Sequence, residues 1–202
     1  MAKPVTKLKS IEDTAIRLFA SKGIKEVTIK DIAKEAECSE GALYRHFIGK
    51  DDMAWTLYSR EVEKFMATVR GLLKGKEDFH SRLRSAVELF YSFFDDDPYT
   101  FTFILLSEHN FPKEKKVSPS LNPYNLVLEF IKEGANKGIL NIRDPELSAA
   151  MVLGLVLQPA TLRAEGPLKG QMKKKTTEVV RACLRVLRAE YSHLTTNRSK
   201  KR

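Results

Sequence analysis

The sequence predicts an all-α protein of about nine helices, in which an N-terminal three-helix helix-turn-helix domain precedes a larger helical domain. Three observations predict it. Apolar residues recur at intervals of three and four along most of the chain, and no stretch alternates with period two. Capping residues and prolines open these stretches, and glycines close several of them. Finally, residues 28–50, TIKDIAKEAECSEGALYRHFIGK, read as two short helices joined by a tight turn.

The first helix is expected over 7–22, with Leu8, Ile11, Ala15, Leu18 and Phe19 on one stripe and Gly23 as its stop. The second opens at Thr28, whose hydroxyl caps the free amides while Asp31 completes a capping box. Ile29, Ile32, Ala33 and Ala36 form its apolar stripe. Glu37 and Cys38 break the rhythm, and Ser39 supplies a second N-cap. From Glu40 a helix is expected to run to about residue 48, roughly 13 Å at 1.5 Å per residue. Leu43 and Phe47 share its inner face. Arg45 and Gly41 project nearly opposite, with Tyr44 and Ala42 on the flanks. A small residue near the start admits close backbone approach, while an arginine and a tyrosine reach outward. That arrangement suits a helix whose first turn meets base edges and whose flanks grip phosphate. An ordinary helix pair in a bundle would share any one of these features; their combination favours the DNA-reading arrangement over it.

A long helix is expected over 51–73, its N-terminus favoured by Asp51 and Asp52. Another follows over 78–94, with Phe79, Leu83, Val87, Phe90 and Phe94 on its stripe. Asp95 to Pro98 is a break, and a shorter apolar helix is expected from Tyr99 to about His109. Residues 110–123, with three prolines and three lysines, read as a loop. Helices over 124–137, 145–162 and 172–194 complete the set. Asp144 and Pro145 make a strong helix start. From Leu147 to Leu157 nearly every residue is apolar, wider than one stripe requires, so this helix should be buried on several sides. A second subunit is the expected extra neighbour, through helices 145–162 and 172–194, giving a homodimer; the central helix of a monomer would show the same apolarity.

The first fifty residues resemble the DNA-binding domain of the TetR family of bacterial transcriptional regulators. The shared pattern is Phe19-Ala-Ser-Lys-Gly23, Thr28, Ile32-Ala33, Ser39-x-Gly41-x-Leu43-Tyr44-x-His46-Phe47 and Lys50. Residues 129–145 resemble, more faintly, the segment before that family's dimerisation helices. The resemblance implies double-stranded DNA as partner, with phosphate contacts at Thr28, Tyr44, His46 and Lys50 and base reading at Lys30, Glu40, Gly41, Ala42 and Arg45, Ser39 standing at the edge of this set. It also implies a dimeric, ligand-responsive repressor on a pseudo-palindromic operator, released when a small apolar or amphipathic effector enters the helical body. The aromatic stretch between Phe65 and Tyr124 is the expected effector region, with Phe90, Phe94, Phe103 and Glu108 as candidate ligand-binding residues; the aromatics fit a plain core role as well.

Two departures from the family pattern stand out. Members commonly carry glycine and valine where this chain has Glu37 and Cys38, and Glu37 would occupy a turn position that needs positive φ, at roughly 1 kcal/mol for a non-glycine residue. Glu40 puts an acid on the recognition helix, where it can accept from a cytosine amino group or favour its own helix N-terminus.

Composition agrees with a globular regulator. The 202 residues carry a net charge of +9, unevenly spread. Residues 1–50 hold ten Lys/Arg and seven Asp/Glu (+3), residues 51–162 thirteen and sixteen (−3), and residues 163–202 twelve and three (+9). The expected division is 1–50 for DNA binding, 51–196 for ligand binding and dimerisation, and 197–202 as a basic tail. No uninterrupted apolar run is long enough for a membrane span, and MAKPVTKLKS lacks an apolar signal core, so a cytoplasmic location without a membrane partner is expected. Cys38 and Cys183 are expected as small buried hydrophobes. Catalysis finds no motif: there is no glycine-rich phosphate loop, HExxH, CxxC or GxSxG, and the histidines at 46, 80, 109 and 193 are scattered. The sequence therefore implies no enzyme activity, cofactor or metal. The alternative is a helical module that binds an anionic surface, membrane or RNA, through its basic end.

Overall fold

The structure, a computed structural model, describes residues 7–107, 111, 115 and 122–187. Among them are nine α-helices and no β-strand. They divide into two compact units, one of residues 1–68 and 92–121, the other of residues 69–91 and 122–202.

The first unit begins with α1, Lys7–Lys22, which ends at Gly23 in a left-handed conformation (φ +84°). Ile11, Ala15 and Phe19 are almost wholly buried, as their spacing predicts. Helix α2, Ile29–Glu35, opens on the predicted capping box: the Asp31 amide donates to Thr28 Oγ1 (3.1 Å) and the Thr28 amide to Asp31 Oδ2 (2.9 Å). Helix α3 spans Glu40–Tyr44 and is shorter than the expected run to residue 48. The amides of both His46 and Phe47 turn onto the Leu43 carbonyl (2.9 and 3.0 Å), which tightens the last turn and swings Phe47 inward. The Ile48 amide then donates to Asp52 Oδ2 (3.1 Å), inside the first turn of α4, Lys50–Leu73. Glu12 on α1 is buried and takes a two-pronged pair from Arg60 on α4 (2.8 and 3.0 Å).

Helix α5, Phe79–Asp96, returns to this unit at Ser92, and Asp97 caps α6, Pro98–Phe101. The expected α-helix from Tyr99 onward is instead a short α-turn followed by a π-turn, Thr102–Leu106. Its signature is the Ser107 amide on the Thr102 carbonyl (2.9 Å), five residues back. The wider turn accompanies burial of Phe101, Phe103 and Ile104 together, and Phe103 stacks on Phe19 at 5.8 Å.

In the second unit, the start of α5 packs with α7 (Pro123–Asn136), α8 (Pro145–Glu165) and α9 (Thr176–Val186). Arg82 is its one charged residue buried to 5% exposure among those described. Its guanidinium reaches the Leu73 carbonyl (2.6 Å) and both oxygens of Glu133 (3.0 and 3.3 Å), and it lies 5.1 Å over the Phe130 ring. Phe130 stacks in turn on Phe79 at 4.2 Å. Helix α8 carries Pro159 in its interior and runs three residues past its expected end. The Tyr91 hydroxyl donates to the Val156 carbonyl (3.1 Å) in the preceding turn. Burial pushes the Tyr91 phenol up from its ordinary range, and pushes the Cys183 thiol up to about 12.

Three further expectations are adjusted. By length and composition Pro145–Glu165 is apolar enough to cross a membrane, with mean hydropathy 1.4 over an 18-residue window and its charges, Glu146, Arg163 and Glu165, confined to its two ends; the core helix of a soluble protein passes the same test. The last expected helix begins as a 3-10 turn, Lys173–Lys175, before α9, and its portion from 188 to 194 lies outside the described residues. Cys38 is half-buried rather than buried, while Cys183 is buried, and both are free. Most of the expected loop 110–123, Glu108, and the basic tail 197–202 also lie outside the described residues.

Candidate nucleic-acid interface

The candidate interface comprises the α2–α3 pair and the start of α4. Helix α2 presents Lys30 outward from its first turn, since Ile32 and Ala33 commit the opposite face to the core. The turn after α2 satisfies its own carbonyls. The Cys38 amide reaches back to the Ala33 carbonyl (2.9 Å) and the Glu37 amide to that of Lys34 (3.2 Å), a Schellman arrangement with Glu37 left-handed at φ +51°. The sequence expectation of positive φ at Glu37 is met.

Helix α3 then buries Leu43 completely and exposes Glu40, Gly41, Tyr44 and, just past its end, Arg45 and His46. Tyr44 is 55% exposed. At Gly41 an added Cβ would meet only Ser39 Oγ, at 3.9 Å, so the protein's own packing does not demand glycine there. Thr28, Lys30 and Ser39 are likewise exposed, and Lys50 partly so, its ammonium 3.1 Å from the Lys25 carbonyl.

Two residues depart from their expected roles. Ala42 is only 8% exposed: α3 is five residues long and tightly closed, so Ala42 turns toward the core instead of flanking the outer face. Ser39 stands at the N-cap, but its side chain makes no cap hydrogen bond. The Thr28 hydroxyl, in contrast, is already engaged by Asp31 Oδ2 (2.6 Å), which helps hold that carboxyl below its usual range. The sequence reading passed over Ile48, which is 90% exposed beside Lys50; an isolated isoleucine after a core phenylalanine carried no signal.

The candidate effector residues fall in different units. Phe94 and Phe103 are buried in the first, where Phe94 meets Phe101 edge-on at 5.0 Å. Phe90 is buried in the second, against Tyr91 at 5.8 Å. On α8, the exposed positions Leu147, Met151, Gly154, Gln158 and Leu162 line up at helical spacing. Met151, Gly154, Leu155, Gln158, Pro159 and Leu162, with Val186 of α9, line a groove of about 460 Å³.

Comparison with known proteins agrees with this geometry. Residues 11–54 match the family described as bacterial regulatory proteins, tetR family. The HTH-type transcriptional activator FasR of Mycolicibacterium smegmatis is 30% identical over 104 residues, 52% of this chain and 47% of that protein. The chain thus spans about half the length of that curated relative. Among solved structures, the fatty acid degradation regulator FadR from Bacillus halodurans superposes with a TM-score of 0.76 at 23% identity, over 94% of this chain and 100% of that one. The transcriptional regulator FadR from Bacillus subtilis, solved in complex with stearoyl-CoA, gives 0.72 at 21% identity, over 87% and 97%. With its motif and its capped helix pair in agreement, residues 11–54 carry the helix-turn-helix domain of the tetR family of bacterial regulatory proteins, and the all-helical body shares the fold of the solved regulators.

Proposed function

We propose that this protein is a transcriptional regulator that binds a pseudo-palindromic DNA site as a homodimer and is released by a small amphipathic effector, acting most simply as a repressor. The observation that carries the reading is the outer face of α3, where Gly41, Tyr44, Arg45 and His46 are exposed while Leu43 and Phe47 anchor the helix from behind. On this reading Arg45 and Lys30 address base edges, and Tyr44, His46, Lys50 and the Thr28 end of α2 hold phosphates. Ser39, with its hydroxyl free of capping duty, joins the phosphate contacts. Gly41 lets the backbone approach the groove, and Glu40 faces it. The homodimer is assigned to α8 and α9, and the apolar stripe of α8 at Leu147, Met151 and Leu162 stays exposed in one chain.

The effector is taken to be a long-chain acyl compound. Support comes from the aromatic richness of the stretch between Phe65 and Tyr124 and from the fold shared with a regulator solved in complex with stearoyl-CoA. One experiment addresses the whole reading. Duplexes are selected from a random pool by the purified protein, and the selected duplex is titrated with stearoyl-CoA. Enrichment of a two-fold symmetric motif, released on adding the acyl-CoA, is expected. No enrichment at low salt would overturn the DNA-binding role; an enriched motif that stearoyl-CoA leaves bound would overturn the effector class alone.

A further inference from the structure

The turn that delivers α3 to the surface contains a residue its backbone disfavours. Glu37 sits at φ +51°, the only described non-glycine residue with positive φ. Glycine adopts that conformation freely, whereas a side chain there crowds the backbone. The Schellman bonds occupy the carbonyls of Ala33 and Lys34 but leave those of Ala36 and Glu37 at the end of the helix unserved by the turn itself. Lys7, the first residue of α1, supplies both. Its ammonium donates to the Ala36 carbonyl (2.9 Å) and to the Glu37 carbonyl (2.9 Å), across 29 and 30 residues of chain. A cation at this place also meets the negative end of α2. Ten residues further along α1, Arg17 pairs with Glu35 in the last turn of α2 (2.9 Å). Helix α1 thus braces the end of α2 with two cations, and one grips the strained residue itself.

We propose that Lys7 is a positioning residue for DNA reading: it holds the α2–α3 turn in its left-handed geometry and thereby sets the angle at which Gly41, Tyr44 and Arg45 are presented. The inference rests on the DNA-binding reading above, and it assigns Lys7 no contact with DNA. A purely electrostatic Lys7 would attract phosphate regardless of what occupies position 37. A brace for a strained turn is needed only while the turn is strained. The two roles are therefore separable by a cycle through Glu37.

The test uses four full-length proteins: wild type, Lys7→Met, Glu37→Gly and the double variant. Each is measured for amide hydrogen exchange at Cys38–Ala42 and for affinity to the duplex that wild type selects from a random pool. Lys7→Met should speed exchange at these amides and weaken the selected duplex by about fivefold each, the worth of one modest charge-assisted hydrogen-bonding group. The salt slope of binding should be unchanged. In the E37G background the same substitution should change both readouts by less than about twofold, since the strain it would release is already gone. Lys7→Arg, which retains donors on a cation, should behave as wild type. Equal losses in both backgrounds, or unaltered exchange in Lys7→Met, would overturn the proposal. So would a salt slope lowered by about one per subunit, the mark of a lost phosphate contact. Should wild type bind no duplex, the DNA-binding reading fails, and the exchange cycle alone still decides whether Lys7 braces the turn.

Discussion

Gly41 and Glu133 carry separate predictions, one for duplex binding and one for stability. At Gly41 nothing in the protein occupies the space a methyl group would take, and alanine favours a helix by about 1 kcal/mol over glycine. Gly41→Ala should therefore leave the urea midpoint equal or higher, while costing about tenfold in duplex affinity because the added methyl meets the groove floor. A variant that binds as well as wild type would show that α3 does not approach DNA along this edge. Glu133 concerns stability alone. Hydrogen bonds from Arg82 and then Lys137 hold its carboxyl down to about 2, from an ordinary 4.5. A carboxyl with a lowered pKa in the folded state stabilises fully above the unfolded value, and the contribution fades as pH falls from about 4.5 toward 2. Unfolding midpoints measured across that window should fall more steeply for wild type than for Glu133→Gln. Parallel curves would contradict the pairing.

At the scale of elements, the end of α7 is a tightly packed junction. A Cβ on Gly134 would lie 2.8 Å from both Leu140 Cδ1 and Phe79 Cε2, in the core that Phe79 and Phe130 build. Gly134→Ala should cost about 1–3 kcal/mol in chemical denaturation; a neutral result would mean that Leu140 and Phe79 yield easily. Elements whose signals are local were legible in the sequence. Helix α1 matches its expected ends because a continuous stripe is closed by Gly23, and α2 because Thr28 and Asp31 cap each other three residues apart. The positive φ at Glu37 was legible for the same reason. What failed depends on a slip in period or on a distant partner. Counting 100° per residue along an ideal nine-residue helix put Ala42 on the surface, whereas the early closure onto the Leu43 carbonyl turns it inward. The π-turn at Thr102–Leu106 inserts a residue that hydrophobic periodicity cannot register. The role of Lys7 left no trace in the sequence because its carbonyl partners lie some thirty positions away.

At the scale of the whole molecule, the account needs two copies, since a helix as short as α3 reads few bases and a two-fold partner doubles its reach. Leu147 and Met151, exposed by 51% and 45%, should seal that interface. Replacing both by glutamate should shift the sedimenting species at micromolar concentration from dimer to monomer without loss of helix content; a wild-type protein that sediments as a monomer would remove the dimer from the scheme. The central claim remains that the outer face of α3 and the start of α4 meet a double helix, Arg45 at the bases and Lys50 at the backbone. It is tested most directly by fluorescence anisotropy of the wild-type-selected duplex and a scrambled one, across a salt series. Lys50→Ala should weaken both duplexes and lower the salt slope by about one per subunit, whereas Arg45→Ala should erase the preference between them, a loss on the order of 1–3 kcal/mol per half-site. Variants that bind both duplexes with wild-type affinity, preference and salt slope would contradict it.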